Sequence, residues 1–122
     1  MNEIKFKAWD KIDKKMCEVE AISFHHLHGT PHTVTVNGQT WVAERFELLR
    51  YTGLKDKNRV EIYEGDVLRF HGPVEGMGKV YWENCGFRVE GDDLDIVLGN
   101  AVEREVIGNI FETPELLKKE ND

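Results

Sequence analysis

Cysteine is nearly absent, and the two that occur, Cys17 and Cys85, stand far apart and form no CxxC pair. A structural zinc site needs more thiols or tighter spacing, so that class is excluded. In a reducing cytosol two lone thiols act as small hydrophobes or bystanders, with a disulfide between them the minor alternative. Long hydrophobic runs are missing too. No apolar stretch approaches the roughly 20 residues that a membrane span requires, and the opening MNEIKFKAWDK holds no apolar segment of signal-peptide length. A soluble, intracellular protein is the expectation.

Clustered positive charge is also lacking. The formal net charge is −7, whereas binding to phosphates draws most of its affinity from grouped Lys and Arg. The densest basic groups, Lys5 to Lys15 and Lys118-Lys119, sit beside Asp and Glu. Nucleic acid is therefore disfavoured as a partner, while an acidic surface suits solubility or a basic partner. Catalytic signatures are missing as well. There is no Gly-x-Ser-x-Gly, and the glycine-rich stretch Gly72 to Gly78 lacks the Lys-Ser/Thr ending that holds phosphates. Neither cysteine has a His and acid arrangement that would make it a nucleophile. No catalytic residue and no cofactor is assigned.

What remains is a chain of 122 residues, 40% hydrophobic, enough for one modest core or two small lobes. Its patterns are short and extended. Glu3 to Trp9 alternates, with Ile4, Phe6 and Ala8 on one face, and Met16 to Phe24 resumes the pattern after a polar turn. Asn37-Gly38, between Thr33–Val36 and Gln39–Ala43, predicts a type I′ hairpin, because both central residues of that turn take positive φ. Glu44 to Tyr51 reads as a strand. Lys55 to Arg59 turns the chain into Val60–Tyr63, and Glu64-Gly65-Asp66 turns it again into Val67–Phe70. Lys79–Glu83 and Phe87–Glu90 pair around Asn84-Cys85-Gly86. Leu94, Val97 and Leu98 suit a helical turn capped by Asp92. Thr113-Pro114-Glu115 predicts the start of a closing helix over 114–119. Short strands with glycine turns imply a mainly β fold of antiparallel strands, with a small barrel or roll. Residues 1–50 form a β-rich N-terminal part and residues 51–122 the barrel-like part with its helix.

Three segments carry a resemblance: FKAWDKIDKKM, YTGLKDKNRVEIYEGDVL and EVIGNIFETPELL. In order and spacing they resemble the YopX family of small phage and prophage proteins. The resemblance implies a mainly β protein with an SH3-like barrel in the C-terminal part and an origin in a phage or prophage. It implies no catalytic residue, since the family has no established activity. One departure stands out: the family pattern carries Gly where this chain has Arg59, and Asn58 is then expected to take the left-handed conformation of that turn.

Two groups remain as candidate sites. His25, His26, His28 and His32 offer imidazoles, the commonest metal ligands, in one loop, although a solvated polar loop is the commoner outcome. Among the aromatics, Tyr81 and Trp82 are adjacent on a predicted strand, so one of them points away from the core. Asp92, Asp93 and Asp95 lack the Gly and Glu of a calcium loop. Asp56, Glu61, Glu64 and Asp66 fit turns, where an Asp after Gly bonds the turn amides. The functional expectation is a non-enzymatic module that contacts a protein partner or self-associates as a homo-oligomer. The alternative is a metal-binding protein or metal-dependent enzyme that uses the His25–His32 loop.

Overall fold

The computed structural model describes residues 5–27, 29–71, 75–83, 86–91, 94–99 and 103–117. The chain divides after Arg50 into two compact units, both built from antiparallel strands.

In the first unit, β1 (Phe6–Asp10) pairs on one side with β2 (Lys15–Glu18) and on the other with the first half of β6 (Phe46–Lys55). A three-stranded sheet, β3 (Ala21–Phe24), β4 (Pro31–Val36) and β5 (Gln39–Val42), completes it. The β4–β5 turn has φ of 53° at Asn37 and 77° at Gly38, the two left-handed residues of a type I′ hairpin. Alternation along β4 sends Val34 and Val36 inward to join Ala8, Cys17 and Phe46 in one apolar cluster. Cys17 is a free, buried thiol, and Cys85 lies outside the described residues. The strand expected over 44–51 begins at Phe46, after a 3-10 turn at Ala43–Arg45, and runs on to Lys55.

In the second unit, the rest of β6 pairs with β7 (Glu61–Tyr63). Beyond it lies a five-stranded sheet. Its strands are β8 (Asp66–Phe70), β9 (Gly76–Glu83), β10 (Gly86–Gly91), β11 (Leu94–Val97) and β12 (Arg104–Asn109). They lie in the order β11-β10-β9-β8-β12. Ile62, Leu68, Phe70, Val80, Val89, Leu94 and Leu98 form its core. The β7–β8 turn is held from two directions: Gly65 donates its N–H to the Val80 carbonyl at 2.8 Å, and its own carbonyl accepts the Ile110 N–H at 2.8 Å. Gly65 has φ of +86°, and a Cβ there would stand 2.9 Å from the Phe111 ring, so both conformation and space call for glycine.

Three expectations are corrected. The helical turn expected near Leu94 is strand β11, in which Leu94 and Ile96 face the core while Asp95 and Val97 face outward. Its pairing with β10, Leu94 opposite Gly91 and Val97 opposite Arg88, replaces helical bonding; Asp92 lies outside the described residues. The closing helix expected over 114–119 is, among the described residues, a 3-10 turn, Pro114–Leu117; residues 118 and 119 lie outside them. The Thr113 hydroxyl turns back to bond Asn109 rather than capping forward, and Leu116 N–H bonds the Thr113 carbonyl three residues earlier, the 3-10 pattern. So short an element has too few bonds to offset the nucleation of an α-helix. In the 56–60 turn the left-handed residue is Arg59 itself, at φ 68°, and not Asn58.

Candidate functional site

Among the described residues, the first unit carries a cleft of about 250 Å³ lined by Asp10, Asp13, Lys15, Cys17, Trp41 and Arg45 together with the Asn37 turn. Its floor is an ion-pair cluster. Asp10 ends β1 and is buried, yet its Oδ1 accepts the N–H groups of Ile12 and Asp13 at 3.0 and 3.1 Å. Arg45 reaches Asp10 with two donors, Nε to Oδ1 at 3.0 Å and Nη2 to Oδ2 at 2.9 Å. Its Nη2 also meets Asp13 at 3.0 Å, and the guanidinium carbon lies 4.3 Å from the centre of the Trp41 ring. The forked pairing is the strong geometry for Arg and carboxylate, and the ring contact is a cation–π arrangement.

The electrostatics of the cleft favour a charged Asp10 and a neutral Cys17 thiol. The Arg45 hydrogen bonds, acting against burial and helped by the Asp13 and Ile12 amides, hold the Asp10 carboxyl at about 2. Such a group is a poor proton acceptor near neutral pH. Burial, reinforced by the Asp10 charge, pushes the Cys17 thiol up, away from the thiolate that a nucleophile requires. Arg45 is committed to two carboxylates. The cluster pins the 10–13 turn to the Ala43–Arg45 turn, and Lys11 N–H on the Arg45 carbonyl at 3.0 Å adds to that pin.

The second unit has a comparable pin. Asp56 is buried and accepts three backbone N–H groups: Asn58 and Val60, each at 2.8 Å, on Oδ1, and Val106 at 3.0 Å on Oδ2. Burial pushes this carboxyl up, but those three donors and the Arg104 charge outweigh it and hold it below the usual range. Arg104, itself buried, donates to the carbonyls of Gly99 and Lys55. Asp66 accepts the Tyr63 N–H at 2.8 Å, which is the turn role expected of an Asp after Gly, and Glu61 bonds the Tyr63 hydroxyl.

The candidates from sequence are placed as follows. His25 and His32 come together, ring centres 4.3 Å apart and tilted by 56°, whereas His26 sits in the exposed turn between β3 and β4. His28 lies outside the described residues. No group of three or more His, Cys, Asp or Glu converges among the described residues. Asp95 pairs with Arg88 at 2.8 Å; Asp92 and Asp93 fall outside the described residues. Tyr81 points to the outer face of the sheet, half-buried, where it stands opposite Arg88 and shares a hydrogen bond with it. Trp82 lies on the core side, at the end of β9, 41% exposed. Its ring meets that of Phe87 edge-on with centres 4.8 Å apart. The Asp10–Arg45–Trp41 cluster was invisible in the sequence: 35 residues separate the two charges, and Asp10 reads only as the start of a turn.

Comparison with known proteins adds a family and a fold. The family described as YopX protein matches residues 5–118. The crystal structure of protein EF1440 from Enterococcus faecalis is similar to this chain at 29% identity and a TM-score of 0.77, covering 97% of this chain and 100% of the other. No curated protein matches.

Proposed function

The chain belongs to the YopX family, and on that premise we propose that it is a phage or prophage accessory protein that works through protein contacts and catalyses no reaction. Its place is the cytoplasm of a bacterial host; no helix among the described residues is long and apolar enough to cross a membrane. The second unit is read as an SH3-like barrel, and the contact surface is the β9–β10 end of its sheet.

The observation that carries this reading is Trp82. A tryptophan left 41% exposed on the core side of a sheet, braced edge-on by Phe87, has the form of an interface anchor, since aromatic residues dominate binding hot spots. Charge favours a basic partner. The seven Lys and Arg of residues 1–50 balance seven Asp and Glu there, so the whole net charge of −7 falls in residues 51–122. An acidic surface speeds encounter with positive partners and slows it with negative ones.

The test is light scattering over a concentration series, with affinity capture from host lysate and the Trp82→Ala variant run in parallel. A homo-oligomer or a stoichiometric host protein, either of them lost in Trp82→Ala, supports the reading. A monomer that retains no saturable partner overturns it.

A further inference from the structure

The β3–β4 hairpin brings together two imidazoles that flank one loop. The loop is closed by the His25 N–H bonding the Thr30 carbonyl at 2.9 Å and the Gly29 N–H bonding the His25 carbonyl at 2.8 Å. Gly29 takes φ of +72° to make that return. A register shift between Ser23 and Phe24 then sets His25, just past the end of β3, beside His32, the second residue of β4. Both residues are exposed, and their ring centres are 4.3 Å apart with planes tilted by 56°.

We infer that His25 and His32 form a two-imidazole site for a first-row divalent transition metal ion, with Zn²⁺, Co²⁺ and Ni²⁺ as the class it takes. A zinc ion held at about 2.0–2.1 Å by one nitrogen of each ring sits roughly 3 Å from each ring centre, which allows centres roughly 4–6 Å apart. The observed spacing of 4.3 Å falls in that range. Neutral imidazole is the ligand type that suits zinc, cobalt and nickel and does not suit calcium or magnesium, which take oxygen ligands. The backbone bonds on either side fix the hairpin before the ion arrives, so little chain ordering accompanies binding. With two protein ligands the remaining positions go to water, and the site binds reversibly, as an exchangeable site and not a structural one. His26, in the turn itself, is not part of it.

The inference stands apart from the partner reading, because His25 and His32 belong to the first unit and Trp82 to the second. It is tested by calorimetric titration of tag-free protein with Zn²⁺, Co²⁺, Ni²⁺ and Ca²⁺. The expected result is saturable 1:1 binding of the three transition ions and none of Ca²⁺. Affinity for Zn²⁺ drops about tenfold or more in His25→Ala and in His32→Ala and is unchanged in His26→Ala. Circular dichroism on each variant checks that the strands persist. Absence of saturable Zn²⁺ binding by the parent protein overturns the site, and so does a loss in His26→Ala equal to that in His25→Ala.

Discussion

Asp56 bonds Val106 across 50 residues of chain: its Oδ2 accepts the Val106 N–H at 3.0 Å while its Oδ1 holds Asn58 and Val60. One buried carboxylate therefore closes the 56–60 turn and also ties it to β12. The Lys57 N–H on the Arg104 carbonyl, at 3.0 Å, runs parallel to that tie. An acceptor-only group is required here, because all three partners are donors.

Asp56→Asn is the sharpest test. The amide keeps one acceptor but turns an NH₂ donor toward a backbone N–H, leaving a buried donor unpaired, and it removes the negative charge facing Arg104. A loss of about 2–3 kcal/mol is expected, read as a lower urea midpoint with unchanged slope. A variant as stable as the parent would remove Asp56 from its place as the pin of this unit.

Arg59 offers the opposite sign. It holds φ of 68° and is exposed. A side chain in the left-handed region is strained, while glycine adopts it freely but loses more entropy on folding. Strain is the larger effect, so Arg59→Gly stabilises by about 0.5–1 kcal/mol. Thermal unfolding of the pair checks it, and Asn58→Gly serves as the control that gains nothing.

The acid limb of the stability curve should report Asp10. Its carboxyl is lowered from 3.8 to about 2 in the folded protein, first by Arg45. The unfolded chain therefore binds the proton more readily than the folded one. The stabilisation is complete above the ordinary carboxylate range, near pH 4, and fades as pH falls through about 2. Asp10→Asn lowers stability at neutral pH by about 2–3 kcal/mol and flattens the curve between about pH 4 and 2. Denaturant titrations of both proteins across that window read the difference directly.

Local chemistry was legible in the sequence, and long-range pairing was not. Asn37-Gly38 specified its hairpin because two residues suffice to define a type I′ turn, and Gly65-Asp66 announced its turn for the same reason. Leu94, Val97 and Leu98 were misleading: their spacing suits a helix, yet Val97 is 64% exposed and the inward residues are Leu94 and Ile96. Only the partner strand decides between the two periods, and here it sets Leu94 opposite Gly91. There a Cβ would run into the Met77 carbonyl. The Asp10–Arg45 pair and the Asp56–Val106 bond join residues 35 and 50 positions apart, which no single-sequence pattern encodes. The histidine loop was legible as a composition, but which two rings meet depends on the register shift at Ser23–Phe24.

The Thr113-Pro114 segment yields the last prediction, because its 3-10 turn is docked on a glycine. A Cβ on Gly108 would meet the Thr113 hydroxyl and, at 2.7 Å, the Leu116 Cδ1. That hydroxyl both donates to the Asn109 carbonyl and accepts the Asn109 N–H, so moving it breaks two bonds at once. Gly108 also follows the bulge at which β12 changes register against β8, where a shift propagates along the strand. Gly108→Ala should therefore cost about 2–3 kcal/mol, and hydrogen exchange should speed up at Asn109 and Thr113 before it does at Val80 and Val89. If the variant instead matches the parent in stability and exchange, the turn is free to lift from β12, and residues 113–117 contribute nothing to holding the second unit together.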